Sequence, residues 1–166
     1  MQKIKLYDSP RLRLLFLCLS VALAVTIFLF SAEPATESAD RSTGLAEIVL
    51  SLCFPAWNEL PQGEQEALLA ETDHLLRKTA HFCVYAALGA LLCLTSLGFW
   101  AKRYVHALRS LIIGALYAIS DEVHQAFVPG RGPGIGDVIL DSIGVLVGIL
   151  AILLLAKIII KRKNRC

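Results

Sequence analysis

Three side chains that can carry charge or exchange protons recur at helical spacing in a stretch that is largely apolar. Lys78, His81 and Tyr85 stand at i, i+3 and i+7, so a helix at about 100° per residue places them on one face. Lysine can pair with an anion, and an imidazole can accept or donate a proton. A charge at the centre of a bilayer costs roughly 2.5–3.5 kcal/mol on insertion scales, so this placement needs a reason.

A second polar set lies between residues 110 and 128. One helical face would carry four groups that form hydrogen bonds, namely Tyr117, Asp121, His124 and Gln125. Glu122 lies about 100° from Asp121 on the same helix. The Pro129-Gly130 pair predicts the end of this helix, which leaves Asp121 about 10 Å inside that end at about 1.5 Å per residue.

The next apolar segment begins with a stripe of two carboxylates and two glycines. Asp137, Asp141, Gly144 and Gly148 share one helical face, and small residues at such a position allow helices to approach closely. The connection before it, residues 129–136, is rich in glycine and carries one cation, Arg131. The two aspartates thus lie at the start of their helix and Asp121 lies near the end of the preceding helix, so the short connection places all three toward the same side of the bundle.

These groups lie at a similar depth, so we predict that they converge on one outward-facing polar pocket. The residues predicted to form it are Lys78, His81, Tyr85, Asp121, Glu122, His124, Gln125, Arg131, Asp137 and Asp141. Two cations against four carboxylates leave a net charge of −2 with both histidines neutral. Protonated histidines, a protonated carboxyl group or a bound divalent cation would each offset it, although no recognised metal-binding motif is present. In the alternative interpretation, Lys78 and Arg131 form ion pairs with the aspartates that only stabilise the helix bundle.

The composition predicts that these residues belong to a membrane protein. Of the 166 residues, 56% are hydrophobic and 18% charged, against roughly 25% charged in soluble domains. We predict an all-α polytopic membrane fold in one domain over residues 1–166, with four transmembrane helices at about 13–32, 79–99, 108–127 and 137–157. In an alternative interpretation, the first span is a signal peptide. The net charge of +2 gives no support for a nucleic-acid partner, and membrane lipids are the partner that the composition implies.

The basic residues predict the orientation of these spans. Twelve of the 16 lysines and arginines lie in the N-terminal flank, in the loop between the second and third spans or in the C-terminal tail. The positive-inside rule therefore places both termini in the cytoplasm and the loops 33–77 and 128–136 outside. In the long outer loop, residues 33–43 have a polar, turn-like composition. Leu45, Ile48, Val49 and Leu52 have the spacing of an amphipathic helix, and a second helix from Pro61 is predicted to continue into the second span.

Several segments resemble the VanZ-like family. The resemblance rests on residues 77–85 (RKTAHFCVY), 120–131 (SDEVHQAFVPGR) and 137–144 (DVILDSIG), together with the stretch FSAEP at 30–34, and it covers about residues 10–157. It implies a small bacterial protein of the cytoplasmic membrane and cell envelope, and the family's namesake is associated with resistance to the glycopeptide teicoplanin. All the predicted pocket residues except His124 match the family pattern, as do Pro129 and Gly130, but the resemblance assigns none of them a role. Many members have a serine where this chain has Gly132.

Three functions are compatible with these residues. The first is a cell-envelope protein that binds a lipid-linked or glycopeptide-type head group, such as an envelope precursor or a glycopeptide, through Lys78 and Arg131 and contributes to glycopeptide tolerance. The second is a membrane-embedded hydrolase or transferase that acts on a lipid head group, with a histidine as base or a bound cation. The third is a small transporter, but the inner halves of the predicted helices carry few polar groups. Because no Ser-His pair and no H-E-x-x-H motif is evident, we expect binding rather than catalysis.

Overall fold

The computed structural model describes residues 9–96 and 103–163. This part of the chain forms five α-helices and a short 3-10 helix at Trp57–Glu59, and it contains no strand. The α-helices are α1 (Pro10–Ser31), α2 (Ala35–Cys53), α3 (Gln62–Ser96), α4 (Arg103–Gln125) and α5 (Ile135–Lys163). The all-α prediction is therefore confirmed.

Helices α3 and α5 pack closely at the centre of the bundle. The positions of Gly144 and Gly148 explain how, because a Cβ atom at either glycine would overlap the backbone carbonyl of Phe82 or Ala86 on α3. The buried cluster beside this contact includes Tyr85 and Val145, and residues of α1 and α4 complete it. The predicted glycine stripe is thus the surface on which α5 meets α3.

Three of the described helices are long and apolar enough to cross a membrane: Pro10–Ser31, Gln62–Ser96 and Ile135–Arg162. They contain the fourth predicted span, the first apart from its last residue, and the second apart from residues 97–99, which lie outside the described residues. Helix α4, which contains most of the third predicted span, is not among them. Charged residues near both of its ends leave only residues 110–120 uncharged between Arg109 and Asp121.

The prediction that residues 33–43 are turn-like is wrong, because α2 begins at Ala35. Glu37 lies in the first turn, where the helix dipole favours a carboxylate. The hydroxyls of Ser42 and Thr43 donate to the carbonyl oxygens of Ser38 and Ala39 one turn earlier, so these polar side chains are satisfied within a helix. Polar composition alone does not distinguish that arrangement from a turn.

The segments around Leu45–Leu52 and after Pro61 are both helical. In α2, Leu45, Ile48 and Leu52 are exposed, whereas Ala46 and Leu50 are buried. Helix α3 runs without interruption from Gln62 to Ser96, which confirms that the segment after Pro61 continues into the second span. Its 35 residues therefore carry polar side chains from the loop region into the bundle.

Candidate functional site

A cavity of about 240 Å³ opens where the end of α4, the start of α5 and the middle of α3 meet the turn between α1 and α2. Its wall is polar and carries side chains of both charge signs. The lining residues are Ala35, His74, Arg77, Lys78, His81, Glu122, Gln125, Gly130, Arg131, Gly132, Asp137, Leu140 and Asp141. Seven of the ten residues predicted for the pocket are among them.

Lys78 and Asp137 form an ion pair across this cavity. Lys78 Nζ lies 2.8 Å from Asp137 Oδ1, and each side chain is about 40% exposed. Ion pairs at such exposure contribute about 0–1 kcal/mol. The pair therefore orients both side chains but can open at small cost when a ligand competes for either of them.

His81 and Asp141 form a looser contact deeper in the wall. The Nδ1 atom of His81 lies 3.9 Å from Asp141 Oδ2, which is beyond hydrogen-bonding distance. Asp141 is only 3% exposed, and its Oδ1 atom has no hydrogen-bond partner. A buried polar atom without a partner is unfavourable by about 1–3 kcal/mol, so this carboxylate has unused capacity to accept a hydrogen bond.

Arg131 ties the glycine-rich loop to the end of α1. Its Nε atom donates to the carbonyl oxygen of Glu33 and its Nη2 atom to that of Phe30, both at 2.9 Å. The amide of Ala35 donates to Pro129 at 3.2 Å and adds a second link. Gly130 turns the loop with a φ of +76°, a conformation that glycine adopts readily.

The guanidinium of Arg131 keeps its positive charge in this position. Partial burial lowers its pKa from the ordinary value, yet arginine in proteins stays protonated at neutral pH. Its two observed acceptors are neutral carbonyl groups rather than the aspartates that the alternative reading of the sequence expected. The loop therefore presents a cation to the cavity.

Glu122 joins the same loop to α4. The amide of Gly134 donates to Glu122 Oε1, and Glu122 is buried although it lines the cavity. A charge-assisted hydrogen bond from a backbone amide satisfies one oxygen of this carboxylate. The loop is consequently held on one side by Arg131 and on the other by Glu122.

Asp121 lies behind the cavity rather than on its wall. Its Oδ2 atom accepts hydrogen bonds from Ser31 at 2.9 Å, from Tyr85 at 3.1 Å and from Gln125 at 3.1 Å. These donors come from α1, α3 and α4, so one carboxylate oxygen connects three helices. Its Oδ1 atom has no partner.

Of the α4 face that was predicted to line the pocket, Gln125 lines the cavity, whereas His124 and Tyr117 contact α1. The ring of His124 stacks on Phe28 with centroids 4.3 Å apart, and the Tyr117 hydroxyl donates to Ala24 at 2.6 Å. Tyr85, Asp121 and His124 were predicted for the pocket wall, and none of them lines the cavity. Helical spacing showed which side chains share a face but not which neighbour that face meets.

Sequence reasoning missed two side chains of the wall on α3, His74 and Arg77. His74 stands four residues before Lys78 and Arg77 four residues before His81, so the helical period could have found them. Arg77 Nη2 pairs with Asp73 Oδ2 at 2.8 Å. Ser31 was also missed as a partner of Asp121, although it belongs to the stretch that carries the family resemblance.

The observed wall changes the predicted charge balance. Three cations (Arg77, Lys78, Arg131) stand against three carboxylates (Glu122, Asp137, Asp141), so the lining is formally neutral when its histidines are neutral. The predicted excess of two negative charges is wrong for the cavity, because Asp121 lies behind it and Arg77 contributes to it. In the described ranges, no three histidine, cysteine or carboxylate side chains are grouped as metal ligands.

Comparison with known proteins gives one match. The family model described as VanZ/LLP1 matches residues 16–157. No curated protein matches the chain, and no solved structure does.

Proposed function

This chain belongs to the VanZ/LLP1 family, and we propose that it is a cell-envelope membrane protein whose cavity binds the phosphate-bearing head group of a membrane lipid or lipid-linked envelope precursor. One observation carries the proposal. Arg77 and Lys78 on α3 and Arg131 in the loop line a single open cavity. Arginine and lysine are the side chains that bind phosphate oxygens most strongly in proteins.

The proposal includes four membrane-crossing helices, α1, α3, α4 and α5. Helix α4 has 23 residues, and at about 1.5 Å per residue it has the length to cross a hydrocarbon core of about 30 Å. Large apolar side chains such as Leu108, Ile112, Leu116 and Val123 are exposed along its surface. A lipid environment would cover that surface, while its carboxylates face the protein interior or the cavity.

The bacterial cytoplasmic membrane and cytoplasmic termini belong to the same proposal. The clustering of basic residues in the flanks and in the 102–109 region supports this orientation. It places the cavity at the outer surface, within reach of lipid-linked envelope precursors. Glycopeptide tolerance would then be an indirect consequence of binding such a lipid.

The size of the cavity favours a head group over a whole glycopeptide. Pockets for drug-sized ligands measure about 300–1,000 Å³, and this cavity measures about 240 Å³. A phosphate with a short substituent fits such a volume, whereas a cyclic glycopeptide is far larger than a typical drug. The ligand we propose is therefore the lipid head group and not the antibiotic.

Native mass spectrometry of the full chain in detergent tests the proposal. The protein is incubated with phosphatidylethanolamine, phosphatidylglycerol or diacylglycerol, and we expect it to retain phosphate-bearing lipids and release diacylglycerol. The double variant K78M/D137N removes both charges of the ion pair together, so neither partner is left unpaired. We expect it to lower phospholipid retention about tenfold, equivalent to about 1.4 kcal/mol.

Arg109→Gln provides the matched control, because Arg109 is an exposed cation outside the cavity. We expect it to bind phospholipids like the parent protein. Equal retention of diacylglycerol and phospholipids by the parent protein, or equal loss of phospholipid in K78M/D137N and R109Q, would contradict the proposal.

In cells, Lys78 and Asp137 are the residues whose replacement we expect to alter teicoplanin susceptibility.

A membrane hydrolase or transferase is the second candidate, and one contact favours it. Oδ2 of Asp141 lies 3.9 Å from Nδ1 of His81, and a shift that brought the two atoms to hydrogen-bonding distance would let the carboxylate orient an imidazole base. The cavity wall, as far as the structure describes it, contains no serine, threonine or cysteine, so water would be the nucleophile of a hydrolase. Release of a head group from phospholipid by the parent protein, abolished in His81→Gln, would establish this activity.

A further inference from the structure

We infer that the bound head group is a zwitterion, in which cations of α3 and of the loop hold a phosphate and Asp141 accepts a primary amine. This inference rests on the proposed function, because it specifies the ligand of the same cavity. The experiment below distinguishes the phosphate site from the amine site, because an anionic lipid without an amine can bind to the former and not to the latter.

The positive and negative side chains of the wall are equal in number, and they come from different parts of the structure. The cations come from α3 and the loop, whereas Glu122 comes from α4 and Asp137 and Asp141 come from α5. A ligand with only negative charge would add to these three carboxylates and leave the site with a net negative charge when its histidines are neutral. A ligand with one phosphate and one ammonium group leaves the site neutral and gives each side of the wall a partner of opposite sign.

The hydrogen bonds within the wall leave Asp141 as the acceptor. Lys78 has three N–H donors and can keep Asp137 as a partner while it contacts a phosphate, and Glu122 accepts from the amide of Gly134. Asp141 lines the cavity, is 3% exposed and has an oxygen without a partner, while its neighbour His81 lies 3.9 Å away. Rotation about the terminal torsion of an aspartate exchanges its two oxygens, so either can be presented to a ligand.

Primary and quaternary ammonium groups differ in the number of N–H donors that they can offer to Asp141. A primary ammonium group carries three N–H donors and can satisfy a carboxylate oxygen. A quaternary ammonium group, as in a choline head group, has the same charge and no donor. Because the Oδ1 atom of Asp141 lacks a hydrogen-bond donor, the wall favours the primary amine.

Competition between lipids in native mass spectrometry tests this inference on the full chain. The protein is exposed to equal amounts of phosphatidylethanolamine, phosphatidylcholine and phosphatidylglycerol. We expect phosphatidylethanolamine to be retained at least about tenfold over the other two, equivalent to about 1.4 kcal/mol. Asp141→Asn keeps the shape of the side chain and removes its charge, and we expect it to lose this preference while it still binds phospholipid.

Glu71→Gln is the matched control, since Glu71 is an exposed carboxylate outside the cavity. We expect it to keep the preference for phosphatidylethanolamine. Equal retention of phosphatidylglycerol would overturn the zwitterion and leave the phosphate site standing. Equal retention of phosphatidylcholine, or an unchanged preference in D141N, would overturn the role of the amine and of Asp141. Retention of none of the three would overturn the proposed function as well.

The same chemistry occurs in a lipid head group and in soluble phosphoethanolamine esters. Addition of glycerophosphoethanolamine distinguishes them. Displacement of phosphatidylethanolamine by a similar concentration of the soluble ester shows that the cavity reads the head group alone. Displacement only at about a hundredfold higher concentration shows that the acyl chains contribute and that the ligand is the lipid. Either result supports a zwitterionic ligand. A failure of the soluble ester to displace the lipid would overturn it.

Discussion

The hydroxyl of Tyr85 on α3 donates a hydrogen bond of 3.1 Å to Oδ2 of Asp121 on α4, and Ser31 at the end of α1 donates to the same oxygen at 2.9 Å. This buried contact lies directly behind a cavity whose wall is charged. The polar groups of the bundle are thus of two kinds. Asp121 connects helices to one another, whereas Lys78, Arg131 and Asp141 line the space open to a ligand.

The role of Asp121 predicts that Asp121→Ala lowers stability. The substitution leaves the buried donors of Ser31, Tyr85 and Gln125 without their acceptor, and an unsatisfied buried group costs about 1–3 kcal/mol. We expect the midpoint of thermal unfolding in detergent, followed by circular dichroism, to fall by several degrees. Ser120→Ala alters an exposed neighbour whose hydroxyl bonds within its own helix, and we expect almost no change. An unchanged midpoint for D121A would mean that this network does not stabilise the bundle.

The contact between α3 and α5 predicts a strong effect at Gly148. A Cβ atom there would overlap the carbonyl group of Ala86, so Gly148→Ala forces the two helices apart. Overpacking of this kind typically costs about 1–3 kcal/mol. Gly136 lies in the first turn of α5, where an added methyl group would meet no other atom within 4 Å, so Gly136→Ala is the control. We expect G148A to unfold at a lower temperature and G136A to unfold no earlier than the parent; the opposite order would contradict this packing.

The bonds of Arg131 predict that Arg131→Gln loosens the loop. Loss of the donors to Phe30 and Glu33 frees residues 129–134 from the end of α1. We expect amide hydrogen exchange to become about tenfold faster in this loop and at Ala35, whose amide bonds to Pro129. Gly132→Ala adds a methyl group in open space and is expected to leave exchange unchanged. Equal exchange in R131Q and the parent protein would show that Arg131 does not anchor the loop.

The helical period allowed much of this site to be predicted from the sequence. It placed Lys78 and His81 on one face and Asp137 and Asp141 on another, and the cavity contains all four. These relationships depend only on the geometry of a single helix. The glycine stripe likewise indicated which face of α5 approaches a neighbour.

Relationships between elements could not be predicted in the same way. His124 stacks on Phe28 because α4 is rotated with that face toward α1, and the rotation depends on the packing of the whole bundle. Arg131 bonds to carbonyl groups because the loop passes the end of α1, and no spacing within residues 129–136 contains that information. A serine or threonine whose hydroxyl bonds to the backbone of α2 cannot be distinguished by sequence from a serine or threonine in a turn.

The proposed orientation predicts which cysteine reacts from outside the cell. Cys53 at the end of α2 is an exposed free thiol, and the proposal places it outside the membrane. We expect a charged, membrane-impermeant maleimide to modify the parent protein in intact cells and not to modify Cys53→Ser. Cys18 and Cys83 lie in the proposed spans, where lipid shields them from such a reagent. Labelling of Cys53 only after the cells are permeabilised would reverse the orientation.

The central claim is that the cavity binds a phosphate-bearing head group. A crystal structure of the protein purified with its native lipids tests this claim most directly, because the electron density in the cavity would identify the ligand. We expect density for a phosphate within hydrogen-bonding distance of at least one of Arg77, Lys78 and Arg131, continuous with an acyl chain. A lipid-purified structure in which the cavity contains only ordered water and the Lys78–Asp137 pair remains closed would contradict it.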